Sequence, residues 1–110
     1  KTSAGALEHI LVARVVNLSR LIEELKEAGL WIYGVEPSAA QEVSAIEMTG
    51  PIAFVFGGEG GGIRRGVAQE CDNLIRIPMK GKVESLNVSA AVAVTLFEGL
   101  RQRGQHKRAP

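Results

Sequence analysis

A single cysteine and two histidines in 110 residues leave little room for several kinds of chemistry. Cys71 has no partner for an internal disulfide and no companion ligands for a zinc site, so its expected role is packing at the end of a short helix. His9 has no cysteine, histidine or carboxylate at ligand spacing, and no metal is expected. No apolar run approaches the roughly 20 residues that cross a bilayer, and no secretory pattern opens the chain. A cytoplasmic location without membrane contact is the expectation. A net charge of +1 is too small to make the whole domain a general polyanion binder.

Two nucleotide-binding signatures are also missing. A P-loop needs Gly, four residues, then Gly-Lys-Ser/Thr, but Gly57 and Gly62 are followed by Ile63 and Arg64. The dinucleotide fingerprint Gly-x-Gly-x-x-Gly fails in every register. What stands there instead is a buried-strand pattern over residues 52–56 running into a loop of five glycines around one carboxylate, Glu59. Glycines are required where φ is positive or where something approaches the backbone closely, so this loop is expected to touch a ligand. A carboxylate among amides disfavours a phosphate. The ligand should carry hydroxyls, an amine or a sulfonium.

The rest of the chain reads as alternating short strands and helices. Residues 10–16 form a β-branched run suited to a buried strand. Asn17 is placed as the N-cap of a helix whose apolar stripe is Leu18, Leu21, Ile22, Leu25 and Ala28, closed by Gly29 as C′ residue. A strand at 31–35 follows, with Trp31 expected in the core. That order signals a parallel βαβ unit. A short helix at 41–46 is the expectation for the least regular stretch. A helix at 63–71 and a strand at 73–77 come after the glycine loop, and Pro78, lacking an N–H, ends that strand. Ser85 or Asn87 then caps a final helix with Val88, Ala91, Val92, Leu96 and Leu100 on one stripe, and Ala90 and Ala93 permit close packing beside it. So much apolar and small surface suggests contact with a second subunit. Arg64, Arg65, Arg101 and Arg103 are candidate phosphate contacts, and residues 104–110 read as a basic, disordered tail.

Phe-Gly-Gly-Glu-Gly-Gly-Gly at 56–62, with Ile-Pro-Met-Lys-Gly-Lys-Val-Glu-Ser-Leu-Asn-Val-Ser at 77–89, closely resembles the second and third motifs of the SpoU (TrmH-type) branch of the SPOUT methyltransferases. The similarity runs from about residue 3 to about residue 103, through Ala-Arg-Val-Val-Asn-Leu at 13–18, Met-Thr-Gly at 48–50 and Phe-Glu-Gly-Leu-Arg-Gln-Arg at 97–103. The resemblance implies an α/β fold with a mostly parallel sheet flanked by helices and a trefoil knot in the C-terminal part. It implies methyl transfer from S-adenosylmethionine to a ribose 2′-hydroxyl of RNA, with guanosine of large-subunit ribosomal RNA as the expected target and transfer RNA as the alternative.

By the same resemblance, Gly57, Ile77 and Leu86 line the cofactor with Pro78 and Met79 close by. Glu59, Ser85 and Asn87 occupy the catalytic polar positions, and the chain is a homodimer joined through its C-terminal helix. From the residues alone, Ile77 and Leu86 would be ordinary core, Ser85 and Asn87 helix caps, and Glu59 an exposed loop charge. The family's first motif, Asn-x-Gly followed by an arginine, is absent, because Asn17 to Arg20 lacks the glycine. Residues 1–103 are therefore expected to be a partial catalytic domain, with a non-catalytic cofactor-binding or RNA-binding module as the other reading.

Overall fold

A computed structural model describes residues 17–58, 62–78 and 87–108, with side chains through residue 105. The expected strand at 10–16 lies outside these. Helix α1 (Leu18–Glu27) starts where the Asn17 side chain accepts the Arg20 N–H at 3.1 Å. It ends at Ala28 and Gly29, whose φ of 96° is a left-handed conformation that glycine adopts without a Cβ clash. Its apolar stripe turns inward: Ile22 is fully buried and Leu18 and Leu25 pack beside it.

Four strands follow, β1 (Trp31–Val35), β2 (Gln41–Glu42), β3 (Ile52–Phe56) and β4 (Asn73–Arg76), in the spatial order β2-β4-β1-β3. All three pairings are parallel, so every strand ends at the same edge of the sheet. Alternation divides the side chains between two faces. Ile32 and Val55 face α1 and α2 (Arg65–Glu70). Tyr33, Val35, Phe54, Phe56 and Ile75 face the other way, joining Val43, Ile46 and Met48. α3 (Val88–Arg108) packs near β3 and the short 3-10 turn Val43–Ala45 on that side. Burying an aliphatic side chain such as Ile22, Ile32 or Ile75 contributes about 1.5–3 kcal/mol. Gly34 leaves room for α2 to sit close, since a Cβ there would stand 2.7 Å from Ile63, 2.8 Å from Leu74 and 3.0 Å from Cys71.

Several expectations need correction. The stretch at 41–46 is not an α-helix but the two-residue strand β2 and the Val43–Ala45 turn. Arg76 explains this: it donates to the Ala39 and Ala40 carbonyls at 2.9 and 2.6 Å and to Glu42 at 3.2 Å, drawing the segment onto β4. Trp31 is 57% exposed rather than core. It opens β1 opposite Ile52, at the amino edge of the sheet, whereas the core cluster on that face takes in β1 only from Tyr33 onward. Val88 is exposed, while Ala91 is buried and Val92, Leu96 and Leu100 are half-buried. Helix α3 runs on to Arg108, so the disordered tail expected from residue 104 is helical as far as that residue. α2 is shorter than its expected 63–71 span. Among the described residues no helix is long and apolar enough to cross a membrane.

Helix α3 is fastened to the loop before β3 by polar bonds. Gln102 accepts the Met48 N–H at 2.8 Å and donates to the Ile46 carbonyl at 2.9 Å. Arg103 donates to the carbonyls of Met48 and Gly50 at 2.9 and 2.7 Å. Glu98 accepts from Gln102 at 2.8 Å and from Arg101 at 2.9 and 2.7 Å. The Arg101 hydrogen bond is the main cause that lowers the Glu98 carboxyl from its ordinary 4.5 to about 2, against the opposing effect of burial. A depressed carboxyl stabilises the fold fully above the ordinary value, and that contribution fades as pH falls toward about 2. Glu98→Gln is therefore expected to flatten the loss of stability over this acid window, measured by urea unfolding at a series of pH values. An unchanged slope in the variant would refute it.

Candidate functional site

In open parallel sheets the ligand-binding crevice lies outside the carboxyl ends of the strands. Three chain ends meet there. β1 leaves the sheet at Glu36, β3 at Gly57 and β4 at Ile77, and the register pairs Val35 with both Phe56 and Ile75. The Glu36 N–H donates to the Ile75 carbonyl at 2.8 Å, carrying the β1–β4 ladder one step past the strand. Gly57 and the Ile77-Pro78 bend thus flank Glu36 across two strand spacings, roughly 10 Å. The structure brings together the two bends that the sequence places in one site.

Gly57 is there for close approach rather than for an unusual φ. A Cβ on it would overlap the carbonyl group of Gly62, because the loop returns onto its own entrance. Gly58 is exposed, and among the described residues nothing lies within 4 Å of where a Cβ on it would project. Pro78 is exposed and Ile77 is half-buried against the Val35–Ile75 cluster. Ile77 therefore forms part of the core as well as the rim.

Asn87 lies at the start of α3, where its Oδ1 accepts the Ala90 N–H at 2.8 Å. The capping role expected from its residue type is present. Of the other expected site residues, Glu59, Met79, Ser85 and Leu86 lie outside the described residues.

The basic residues divide into two kinds. Arg103 is committed to backbone carbonyls, so its phosphate-contact expectation gives way to structural bonds, while Arg101 is paired with Glu98 and stays exposed. Arg64 and Arg65 are exposed at the start of α2, just after the glycine loop. Cys71 packs as expected. Its thiol donates to the Val67 carbonyl at 3.4 Å, and burial pushes its pKa up, which keeps it a poor nucleophile.

The residue that sequence reasoning missed is Glu36. Its Oε1 accepts the Ile63 N–H at 3.1 Å, and its Oε2 accepts the Ser38 hydroxyl at 3.0 Å. The available signal was positional: Glu36 is the first residue after a strand of a parallel sheet.

The sequence model described as the SpoU rRNA Methylase family matches residues 1–97, most of the chain. The chain belongs to the SpoU family. This SpoU chain is 52% identical over 103 residues to the 23S rRNA (guanosine-2'-O-)-methyltransferase RlmB of Xylella fastidiosa, covering 94% of the chain but 41% of that relative. It thus spans about two-fifths of the relative's length. The A. aeolicus TrmH/SpoU tRNA modifying enzyme superposes with a TM-score of 0.77 at 32% identity, over 84% of this chain and 48% of that one. The SpoU methyltransferase AviRb from Streptomyces viridochromogenes, solved in complex with AdoMet, gives 0.69 at 28% identity, over 78% and 35% of the two chains. The SpoU fold accounts for the parallel sheet with flanking helices.

Proposed function

We propose that this chain supplies the cofactor-binding part of an S-adenosylmethionine-dependent RNA ribose 2′-O-methyltransferase acting on guanosine of large-subunit ribosomal RNA. One observation carries the reading: the glycine loop and the Ile77-Pro78 bend leave the two strands that flank β1, at the same edge of the parallel sheet and on either side of Glu36. The similarity to 23S ribosomal RNA guanosine methyltransferases supports the substrate class, and the same reading makes the location cytoplasmic.

The residues at the edge suit such a cofactor. The exposed backbone at Gly58 offers peptide groups to a ligand, and Gly57, Ile77 and Pro78 add uncharged surface on either side of Glu36. Such a surface suits an adenine ring, which apolar walls and backbone groups can hold. Met79 and Leu86 extend this surface in the proposal. When bound, S-adenosylmethionine supplies an electrophilic methyl group on a sulfonium.

The chain's task is then alignment, because a ribose hydroxyl is a weak nucleophile that must be oriented and relieved of its proton. Glu59 and Asn87 orient substrate and cofactor through hydrogen bonds, with Ser85 in support. The helix cap fixes Asn87 Oδ1 towards the Ala90 N–H, and its amide NH₂ is the donor this proposal assigns to the work. The arginine of the family's first motif does not occur in the chain, so no residue here is assigned the proton. The trefoil knot is proposed on family grounds, with the loop after Phe56 and the loop from Ile77 to Asn87 belonging to it.

Calorimetry with S-adenosylmethionine tests the reading. One cofactor per chain is the expected result, and no binding by chain that circular dichroism shows to be folded would overturn it. Methyl incorporation into ribosomal RNA is scored beside it. Binding without methylation is the result expected of a chain that supplies the cofactor-binding part, and methylation by this chain alone would show that it needs no further part.

A further inference from the structure

Glu36 stands at the end of the central strand with both carboxylate oxygens engaged. Oε1 takes the Ile63 N–H at 3.1 Å, a bond that joins positions 27 residues apart. Oε2 takes the Ser38 hydroxyl at 3.0 Å and the Ser38 N–H at 3.4 Å. The same Oε1 lies 3.0 Å from where a Cβ on Gly62 would stand, so the carboxylate rests directly against the loop's last glycine. Its own backbone is fixed by the bond to the Ile75 carbonyl at 2.8 Å. The result is a strut from β1 to the exit of the glycine loop, placed beside the point where Gly62 meets Gly57.

Such a strut has a purpose that packing does not need. A loop of five glycines has more backbone freedom than any other composition, and ordering it on ligand binding would weaken affinity. A carboxylate accepting an N–H is a stronger restraint than a neutral pair. Both oxygens already accept bonds from the chain itself, Oε1 from Ile63 and Oε2 from Ser38, so the carboxylate's orientation is set without a ligand.

We propose that Glu36 is a positioning residue for the methyl donor: by anchoring Ile63 it holds the exit of the glycine loop against its entrance, so that the loop backbone is shaped before the cofactor arrives. Ser38 supports it by fixing the second carboxylate oxygen. The inference rests on the reading of this edge as the cofactor site.

Two measurements on the folded chain test it, amide hydrogen exchange at Ile63 and calorimetric affinity for S-adenosylmethionine, in wild type, Glu36→Ala and Glu36→Gln. Glu36→Ala is expected to speed exchange at Ile63 without ligand and to raise Kd by about tenfold or more. Glu36→Gln keeps an oxygen acceptor for Ile63 and is expected to restore both, with Kd within about threefold of wild type. Unchanged exchange at Ile63 in Glu36→Ala overturns the proposal whatever the affinities. Faster exchange with an unchanged Kd also overturns it and leaves the cofactor site standing. If the wild-type chain itself binds no S-adenosylmethionine, the cofactor reading fails and the proposal with it, even where Ile63 behaves as expected.

Discussion

Gly57→Ala is expected to damage both the fold and the proposed cofactor binding, whereas Gly58→Ala next to it should damage binding alone. The contrast follows from what each added methyl would meet. At Gly57 it overlaps the Gly62 carbonyl group, which belongs to backbone and cannot swing aside as a side-chain tip would. The loop must open, and forcing atoms into a closed space typically costs about 1–3 kcal/mol. For a domain of about 100 residues, each kcal/mol lowers the melting temperature by about 4–8 °C. Gly58 has no described residue within 4 Å of its Cβ position and no left-handed φ, so alanine is expected to fit there without a ligand. If a ligand packs against that backbone, the methyl intrudes only when the ligand is present. The prediction is a near-unchanged melting temperature with S-adenosylmethionine affinity reduced about tenfold or more, each tenfold corresponding to about 1.4 kcal/mol. Thermal melting and calorimetry on the pair decide it. Wild-type affinity in Gly58→Ala would mean that no ligand approaches this backbone.

The parts of this architecture that sequence makes legible are those set by local chemistry. α1 declares itself through Asn17, a 3.6-residue apolar stripe and Gly29, and the structure uses all three. β1 and β3 announce themselves as apolar runs bounded by glycine or proline, and Asn87 as a cap. The parallel sheet follows from strands alternating with helices. The site's location follows too, once two glycine or proline bends both trail strands of such a sheet.

What stayed illegible depends on contacts far apart in the chain. Residues 41–46 have no strong local preference, and Arg76, 34 positions from Glu42, decides their path. Arg103 reads as a candidate phosphate contact and Gln102 carries no signal of a role, yet their partners include backbone groups more than 50 positions away. Glu36 carries no pattern of its own, because its meaning comes from Ile63 arriving beside it. Trp31 misled for a related reason: alternation assigns a face but not whether anything covers the first residue on it.

The other large effect is expected at the outer face of α3. Phe97 is 69% exposed and Val94 is 39% exposed, three positions apart and hence on the same side of the helix. Ala91 and Thr95, on the adjoining side of the helix, are buried, so α3 turns that side to its domain and leaves Val94 and Phe97 exposed beside it. An aromatic ring left in water forgoes the stabilisation that burying its roughly 150–250 Å² would bring. The homodimer through the C-terminal helix that the family resemblance implies would use this face, with Arg101 and its partner Glu98 beside it. Phe97→Glu keeps a good helix former but brings two carboxylates into a symmetric contact, since a two-fold interface sets the same patch against itself. Central aromatic residues at interfaces commonly contribute about 2 kcal/mol or more, so the dimer dissociation constant should rise by about thirtyfold or more. Sedimentation equilibrium across a concentration series reads this directly, and circular dichroism checks that the variant keeps its helices. A wild-type chain that stays monomeric at high concentration, or a Phe97→Glu chain that associates as tightly as wild type, would rule out this face as the subunit contact.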